Sequence, residues 1–404
     1  MNMNAVALCA VGAEKTVSNE IRKLNLKVSE TAYGRVKFNA DLQGLYRALM
    51  GLRAADRVLL EVASFEAADF GVLFDGIQDA PWEAYIPPAL GIRVAKVRSN
   101  RSKLEAETSI QGVVHKAAAE RLCKKRKISR LPETAEDAEL RVHMEKDKVS
   151  ALLDLSGEPL FKRGYRTRGG AAPLRETTAA ALILHSMWRR KFPLYDPFCG
   201  SGTIAIEAAM YAWDIAPGLG RTFAVERLLL GDKKTEALVR EEFLEKVDFS
   251  RLVRIGGSDS DAAALRAARD NAQRAQALGT RAAMGTIAAL GRKDAQGKAH
   301  IPFRALAMED ARPGLEGIPG GDDSSKPAGF ILTNPPYGRR LGDRDSAEKT
   351  YAEMEKLARN FPGWKLGVIT EHSGFESFFG RKADSCREIS NGAIRSYFYQ
   401  YEEL

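Results

Sequence analysis

The sequence predicts an α/β fold in three units, of which the last and largest is a doubly wound, mostly parallel sheet. From about residue 166 onward, helix patterns alternate with strand candidates at Leu194, Val253, Leu306, Ile331 and Leu366. This alternation is typical of a parallel sheet covered by helices on both faces. Two shorter α/β stretches precede it, so we expect units at residues 1–62, 63–165 and 166–404. Surface insertions are expected near Gly279–His300 and Pro313–Pro327.

The first unit has the periodicities of a split βαβ pattern. A strand candidate at Ala5–Val11 is followed by a helical stripe of Val17, Ile21 and Leu24. Two short strands are expected around Tyr33–Gly34, and a second helix and a closing strand at Arg57–Ala63 follow. The order βαββαβ is that of a ferredoxin-like unit. We expect these apolar stripes to form a core and assign them no chemistry.

The second unit combines a strand, a long helix and a hairpin. A strand candidate at Ile92–Val97 precedes the basic turn RSNRSK, and a helix is expected from about Glu107 to Arg126. Its apolar face uses Ile110, Val114, Ala117 and Leu122. The segment RVHMEKDKVSALLDLS is predicted to close the unit as a hairpin across Asp147-Lys148.

Composition excludes several classes of protein. The 404 residues are 45% hydrophobic and 28% charged, a soluble globular balance. No apolar run approaches the roughly 20 residues that span a bilayer, and Ala5–Gly12 lacks the basic leader of a signal peptide. Four cysteines form no CxxC pair, and five histidines lack metal-ligand spacing. We expect a cytoplasmic protein that binds neither a membrane nor a metal.

Positive charge is concentrated in residues 91–130, which hold twelve Lys or Arg against three Glu. Such a block is often only a solvated face, and cations at a helix C-terminus also complement the helix dipole. Four in succession at Lys124–Lys127 exceed what the dipole requires. A block this dense suits a polyphosphate backbone. The candidate phosphate contacts are Arg98, Arg101, Lys103, Lys124, Lys125, Arg126 and Lys127.

The first motif with chemical meaning is PLYDPFCGSGTIAIEAAM, Pro193–Met210. A short strand ends at Asp196, and a helix is expected to open near Thr203. Gly200 and Gly202 let the backbone turn and approach a ligand closely, and the helix N-terminus offers N–H groups to a carboxylate. The GxG spacing lacks the third glycine of GxGxxG and the GK[ST] ending of a P-loop. A glycine loop alone does not separate the remaining nucleotide-binding classes.

Acidic residues at later strand ends help to distinguish these nucleotide-binding classes. Asp259 is predicted to end a second strand, where a carboxylate can bind both ribose hydroxyls. Asp261 is expected to cap the helix that follows. Asp310 is predicted to end a third strand and to accept a hydrogen bond from an adenine amino group.

The second motif is GFILTNPPYGRRLG, Gly329–Gly342, in which an apolar strand runs into Asn334-Pro335-Pro336-Tyr337. Two prolines fix φ and remove two donors, which leaves carbonyls free to accept. The Asn334 side-chain oxygen and the Pro335 carbonyl can then receive both hydrogens of an exocyclic amine. That arrangement turns the nitrogen lone pair toward a methyl donor, while Tyr337 offers a ring for base stacking. The alternative is a strand-ending Pro-Pro turn without chemistry.

Together, DPFCGSGT and NPPY resemble class I methyltransferases that act on exocyclic amines. The segments FKRGYRTRGGAAPLRETTAAALI, IAPGLGRTFAVER, GSDSDAAALRAARDNA and NPPYGRRLG resemble bacterial THUMP-domain RNA guanine-N2 methyltransferases. Within that family the resemblance is to the guanine-N2 half of the 23S rRNA large-subunit methyltransferase L. It covers almost the whole chain, including the basic segment KVRSNRSKLEAETSIQ. The two insertions depart from the family pattern.

The resemblance implies a Rossmann-like methyltransferase domain behind a ferredoxin-like and a THUMP domain, with S-adenosyl-L-methionine as cofactor and RNA as partner. It implies that Asp259 holds the ribose and Asp310 the adenine. Asn334, Pro335, Pro336 and Tyr337 hold the guanine amine. The other implied cofactor residues are Asp196, Phe198, Gly200, Ser201, Gly202 and Thr203 around the methionine part, and Pro173, Leu174, Glu176 and Thr177 in a segment that closes over it.

Three rival functions remain open at this stage. A tRNA instead of 23S rRNA is one possible substrate of the same chemistry. An adenine-N6 methyltransferase is a second possibility, because NPPY serves that amine equally well. A non-catalytic RNA-binding assembly factor is the third, and the intact Asp196 and Asn334 argue against it.

Overall fold

The computed structural model describes residues 2–133, 137–166, 174–290, 301–321, 327–337 and 343–404. Pro173, the whole of the insertion expected near Gly279–His300 and part of the one at Pro313–Pro327 lie outside the residues whose side chains the structure describes. Within the described residues, no helix is both long and apolar enough to cross a membrane.

The N-terminal part of the chain forms one seven-stranded sheet with its helices. The strand order is β2-β3-β1-β4-β7-β6-β5. The elements are β1 Met3–Cys9, α1 Glu14–Lys23, β2 Lys27–Ala32, β3 Arg35–Ala40, α2 Leu42–Gly51, β4 Ala55–Glu66, α3 Phe70–Asp79, β5 Ile92–Asn100, α4 Glu107–Arg126, β6 Ala138–Glu145 and β7 Lys148–Asp154.

The βαββαβ order of the first unit and the bounds of α4 agree with the sequence-based prediction. The expected apolar face of α4 is buried, because Ile110, Val114, Ala117 and Leu122 are all inaccessible to solvent. The expected boundary between residues 62 and 63 falls inside β4, which pairs with β1 on one side and β7 on the other. The first two units therefore share a continuous sheet.

The β6–β7 hairpin turns one residue earlier than predicted. Lys146 and Asp147 form the turn with φ of 52° and 63°, and Lys148 already belongs to β7. A two-residue turn with both φ values positive matches the right-handed twist of the flanking strands. The prediction placed Lys148 in the turn, which was wrong by one position.

The C-terminal part forms a second seven-stranded sheet, in the order β10-β9-β8-β11-β12-β14-β13. Strands β8 to β12 are parallel, as expected, and only β14 runs antiparallel to both of its neighbours. The elements are α5 Glu176–His185, β8 Leu194–Asp196, α6 Thr203–Ala212, α7 Lys233–Leu244, β9 Ile255–Asp259, α8 Ala262–Leu290, β10 Phe303–Ala305, β11 Phe330–Thr333, α9 Asp343–Glu353, α10 Glu355–Asn360, β12 Lys365–Thr370, α11 Phe375–Phe379, β13 Ser385–Asn391 and β14 Ile394–Tyr401.

Two strand predictions were displaced by a few residues. Val253 precedes β9, and Leu306 follows β10. The β13–β14 hairpin was not anticipated. Residues 255–258 of β9 are buried, although two of them are glycines. A side chain at Gly257 would meet Cys199 at 2.8 Å, so close packing against the loop after β8 explains the glycine.

The chain order of the second sheet fixes where a ligand can bind. From β8 the chain adds β9 and β10 on one side, and then β11 and β12 on the other. Strands β8 and β11 are therefore neighbours at the point where the winding direction reverses. In doubly wound sheets, ligands bind outside the carboxyl ends of the strands at this switch point. Both sequence motifs follow these two strands.

Candidate active site

The loop after β8 is built on two glycines with positive φ. Gly200 has φ +51° and faces open space, and Gly202 has φ +83° and precedes the first residue of α6. A Cβ on Gly202 would come within 2.9 Å of the Phe303 ring. Both the backbone conformation and the packing therefore require glycine at 202. Because nothing fills the space beside Gly200, this loop leaves room for a ligand at the start of α6.

Asp196 is a buried carboxylate that joins the two motifs. Its Oδ1 accepts hydrogen bonds from the backbone N–H of Phe198 at 3.1 Å and from the Thr333 hydroxyl at 2.7 Å. The pKa of Asp196 is raised to about 7, mainly by burial and also by the nearby Asp259 carboxylate, although the two hydrogen bonds oppose the shift. The end of β8 and the end of β11 are thus held together by one side-chain contact.

Asp259 lies at the end of β9, as predicted, and it contacts the glycine loop. Its Oδ2 accepts from the Gly200 N–H at 2.9 Å, and its Oδ1 accepts from the Asp261 N–H at 2.9 Å. Each carboxylate oxygen has a second lone pair that can accept another bond. Asp261 accepts from the Ala263 N–H at 2.7 Å at the start of α8. The predicted capping role of Asp261 is confirmed.

Asp310 does not end a strand, so that prediction was wrong. Strand β10 stops at Ala305, and Asp310 closes a single 3-10 turn, Met308–Asp310. The residue is exposed. The apolar run ALAM resembled a strand, but only Phe303–Ala305 pairs with β9.

The NPPY motif directly follows β11, which is buried along its whole length. The Tyr337 hydroxyl donates a hydrogen bond to Oδ1 of Asn334 and so fixes the orientation of that amide. The Pro336 carbonyl accepts from the Tyr351 hydroxyl at 2.9 Å, and Tyr351 also contacts the Thr370 hydroxyl at 3.0 Å. Asn334 is half-buried and Pro335 is buried. The motif is therefore a braced loop at the carboxyl edge of the sheet.

Comparison with known proteins identifies the family of this chain. The family described as RMKL-like, methyltransferase domain, matches residues 163–295 and 319–399, and the RlmL ferredoxin-like domain matches residues 4–59. The chain belongs to the RMKL-like methyltransferase family. A Bacillus subtilis relative, provisionally named the RNA methyltransferase YpsC, is 33% identical over 98% of this chain and 95% of its own length.

Other RMKL-like relatives are longer. The ribosomal RNA large subunit methyltransferase K/L of Syntrophotalea carbinolica is 32% identical over 97% of this chain but only 52% of its own length. This chain thus spans about half of such K/L relatives.

Among solved structures, SMU.472, provisionally described as a methyltransferase and complexed with SAH, aligns with a TM-score of 0.82 at 33% identity. The alignment covers 100% of this chain and 98% of the other. A Listeria monocytogenes protein provisionally described as an N6-adenine-specific DNA methylase aligns with a TM-score of 0.84 at 34% identity, over 100% and 97% of the two chains. The RMKL-like chain is an S-adenosyl-L-methionine-dependent methyltransferase.

The first turn of α5 contacts both Arg166 and the N-terminal sheet. Glu176 is buried and pairs with Arg166 at 3.5 Å. Burial raises the pKa of Glu176, and Arg166 opposes that shift. The Thr177 hydroxyl donates to Asp56 of β4 at 2.5 Å. Of the predicted closing segment, Thr177 is therefore used in a contact with the N-terminal sheet.

Arg166 is a site residue that sequence reasoning missed. Its guanidinium donates to the Thr203 hydroxyl at the start of α6 and to the Leu174 carbonyl at 3.2 Å. It therefore holds the first turn of α6 and the segment before α5 in one arrangement. Its place in FKRGYRTRGG, a run that contains four Lys or Arg, gave no signal that distinguished it from its basic neighbours.

A second missed contact fixes the glycine loop from outside. Asn271 on α8 is buried and donates to the Ser201 carbonyl at 3.1 Å. Arg274 in turn donates to Asn271 Oδ1 at 2.8 Å. A polar residue inside an amphipathic helix was the available signal, since a buried asparagine must find partners.

The basic segment divides into two clusters. Arg98, Arg101 and Lys103 are exposed near the end of β5, and Lys124, Lys125 and Lys127 are exposed at the end of α4. Because α4 begins after the first cluster and ends at the second, roughly 30 Å of helix separates them at 1.5 Å per residue. Arg126 donates to the carbonyls of Ile86, Pro87 and Leu90 at 2.9 to 3.2 Å. Its guanidinium is committed to the fold, and we withdraw it from the candidate RNA contacts.

Among the residues that the structure describes, no group of three or more His, Cys, Asp or Glu side chains could hold a metal ion.

Proposed function

We propose that this chain transfers a methyl group from S-adenosyl-L-methionine to the exocyclic N2 amine of a guanosine in RNA, with 23S rRNA as the first candidate substrate. The observation that carries the proposal is the hydrogen bond between Thr333 and Asp196. It places the glycine loop and NPPY beside each other at the switch point of the sheet. A methyl donor held by the first motif would therefore lie next to an amine held by the second.

The residues around β8 and β9 fit the cofactor. The open space at Gly200 accommodates a ligand against the backbone. Asp196 is a buried carboxylate. The positive charge of the cofactor would stabilise the ionised form of such a group. Asp259 accepts one hydrogen bond from the Gly200 N–H. Its carboxylate has further lone pairs that would accept hydrogen bonds from the ribose hydroxyls. When bound, the cofactor supplies an electrophilic sulfonium methyl group.

The NPPY loop would orient the amine for attack. Guanine N2 is a poor nucleophile because its lone pair is delocalised into the ring, so positioning and polarisation must supply much of the rate enhancement. The Asn334 side-chain oxygen and the Pro335 carbonyl would accept the two N2 hydrogens. Tyr337 holds the Asn334 amide, and Tyr351 holds the Pro336 carbonyl. These contacts limit the rotation of the acceptors before substrate arrives.

The RNA substrate is proposed from the relatives and the charge. Relatives that match almost the whole chain are named for RNA or ribosomal RNA methylation. The N-terminal sheet, which we propose to contain a THUMP domain in its second half, carries the two exposed basic clusters. A base in paired RNA must be extruded at a cost of roughly a few kcal/mol. Phosphate contacts from the N-terminal sheet would offset that cost and set the register.

An adenine-N6 methyltransferase is the second candidate, favoured by the likeness to the Listeria protein described as an N6-adenine-specific DNA methylase. Product analysis separates the two. The purified chain would be incubated with methyl-labelled cofactor and with 23S rRNA, tRNA or DNA from a strain that lacks the gene. Digestion to nucleosides should yield N2-methylguanosine from 23S rRNA.

Three other results would contradict parts of the proposal. N6-methyladenine as the product would overturn the guanine assignment, and labelled tRNA would overturn the ribosomal one. Cofactor binding without transfer to any substrate would favour a non-catalytic assembly factor. The Asn334→Ala variant serves as the control for contaminating activity.

A further inference from the structure

A cavity of about 300 Å³ opens beside the NPPY loop and is lined by Tyr337, Arg344, Glu371, His372 and Ser373. Glu371 and His372 directly follow β12, the parallel neighbour of β11. The cavity therefore lies at the same carboxyl edge of the sheet as Asn334. Its charged lining is distinct from the glycine loop and has no part in holding the amine.

Arg344 is held at this cavity through a chain of two further side chains. Its Nε donates to Glu348 Oε1 at 3.3 Å, one helical turn along α9. His372 Nδ1 accepts from the Gly374 N–H at 3.1 Å, so the ring hydrogen is on Nε2, 3.1 Å from the same Glu348 oxygen. His372 is largely buried, with 10% of its side chain exposed, whereas 72% of the Arg344 side chain is exposed.

Both ring nitrogens of His372 are used in these bonds, so the residue positions Glu348 and is not a base for the reaction. Edge contacts with Tyr351 and Phe378 fix the plane of the ring. The buried His372 thus contacts the Glu348 carboxylate, and Glu348 in turn contacts the exposed Arg344 guanidinium. The contact with Glu348 therefore keeps the Arg344 guanidinium beside the cavity.

Guanine and adenine differ in the groups that such a lining can distinguish. Guanine presents O6 and N7 as acceptors and N1–H as a donor, whereas adenine presents an amino donor at the position of O6 and an unprotonated N1. An arginine matches O6 and N7, and a carboxylate matches N1–H. The order of groups on the guanine edge is N2, N1, O6. Asn334 follows β11 and Glu371 follows the adjacent β12, so the acceptors for N2 and N1 occupy successive strand ends.

We propose that Arg344 and Glu371 select guanine by binding O6 and N1–H of the extruded base, and that His372 positions Arg344 through Glu348. This inference rests on the proposed guanine-N2 activity and assigns its base specificity to these residues.

The test compares two RNAs that differ only at the target nucleotide, which carries guanine or 2-aminopurine. The second base keeps the N2 amine but lacks O6 and N1–H. Arg344→Ala should lower kcat/KM for the guanine RNA about tenfold, the loss expected for one good contact to a base edge. It should lower kcat/KM for the 2-aminopurine RNA much less, because that base lacks O6 and offers the guanidinium only N7. Arg359→Ala is the matched control, because Arg359 is also 72% exposed and also pairs with a glutamate four residues away.

The positioning role of His372 has its own comparison. His372→Gln retains a donor near the position of Nε2 and should keep most of the preference for guanine, whereas His372→Phe should lose it as Arg344→Ala does. If Arg344→Ala lowered kcat/KM equally for both RNAs, Arg344 would contact a phosphate and not the base. That result would overturn the proposed base selection. A wild-type enzyme that methylates guanine and 2-aminopurine equally well would overturn it too, while leaving the N2 activity intact. An enzyme that forms no N2-methylguanosine at all would refute the proposed function itself.

Discussion

The Thr333 hydroxyl donates a 2.7 Å hydrogen bond to Oδ1 of Asp196, and both groups are buried. Their strands, β11 and β8, are adjacent and parallel, although 137 positions separate the two residues in the chain. Asp196 ends β8, just before the glycine loop that we propose to hold the cofactor, and Thr333 immediately precedes the residue proposed to hold the amine. A change at either residue should therefore affect both halves of the site.

Thr333→Val tests this bond. The substitution leaves Asp196 with one fewer donor, and a buried acceptor without its partner costs about 1–3 kcal/mol of unfolding free energy. The loss should be larger at pH 8, where Asp196 is ionised, than at pH 5, where burial keeps it protonated. Urea unfolding at both pH values measures it. Thr370→Val is the control, since that buried hydroxyl contacts the neutral Tyr351 hydroxyl. A loss from Thr333→Val that does not change with pH would contradict the prediction.

Asp196→Asn should change the pH dependence of stability. The folded-state pKa of Asp196 is raised from 3.8 to about 7, so the folded protein binds the proton more tightly than the unfolded chain. This group therefore lowers stability as the pH rises from about 4 to 7. The variant should match the wild type near pH 4 and exceed its unfolding free energy at pH 8 by up to about 4 kcal/mol, at 1.36 kcal/mol per pKa unit. Asp270→Asn, at an exposed position, should show no such trend.

Asn334→Ala should abolish methyl transfer and leave cofactor affinity within a few-fold of the wild type. The proposed contacts of Asn334 are with the substrate amine and with Tyr337, and none is with the cofactor. Isothermal titration with the cofactor and a labelled-methyl assay measure the two quantities. Tyr337→Phe keeps the ring and removes only the hydroxyl that holds the amide, so it should retain partial activity. Normal turnover by Asn334→Ala would remove NPPY from the active site.

Much of the site could be predicted because its residues are local to strand ends. Asp196 and Asp259 end a strand and Asn334 directly follows one, and the parallel topology brings those strand ends to one edge. Asp310 was misplaced because an apolar tetrapeptide has the same pattern in a strand and in a 3-10 turn. Arg126 was misassigned because charge patterns do not reveal carbonyl partners that lie 36 to 40 positions away.

Contacts between residues that lie far apart in the chain could not be predicted from the sequence. The bond from Arg166 to Thr203 joins residues 37 positions apart, and no periodicity encodes it. The shared sheet of the first two units depends on β4 pairing with β7, which a boundary drawn at a change of pattern does not detect. Local spacing predicts which elements form, whereas packing decides which of their side chains meet.

Asp259→Ala should weaken cofactor binding by about 1–3 kcal/mol, the value of charge-assisted hydrogen bonds to a ligand hydroxyl. The structure adds a second cause, because the variant also releases the Gly200 N–H and loosens the loop. Calorimetric titration measures the affinity. Asp261→Ala lies two residues away and removes only a helix cap, so it should cost about 1 kcal/mol of stability without changing affinity. Unchanged affinity in Asp259→Ala would reject the ribose assignment.

The basic residues at the end of α4 allow a test of RNA binding that leaves the fold intact. Lys124, Lys125 and Lys127 are exposed, and only Lys125 has a described ion pair, at 3.9 Å from Glu83. Arg126 must be kept, because its three carbonyl contacts anchor the segment before β5. The cluster lies near Glu83, and two residues further on the Tyr85 carbonyl accepts from the Leu229 N–H of the methyltransferase part at 2.8 Å.

Changing Lys124, Lys125 and Lys127 together to Ser should weaken RNA binding and flatten the dependence of log affinity on log salt. Each lost phosphate contact removes roughly 0.7–0.9 released counterion, so three contacts lower the slope by about two to three. Filter binding at several salt concentrations measures the slope. The control changes Lys233, Lys234 and Lys382, which are also exposed, to Ser. It removes the same charge elsewhere on the surface and should keep the salt slope of the wild type. If the three lysines only complement the dipole of α4, their loss costs a little stability and leaves the slope unchanged. That result would end the RNA-contact assignment for this cluster, while an equal fall in both variants would show that net charge alone sets the slope.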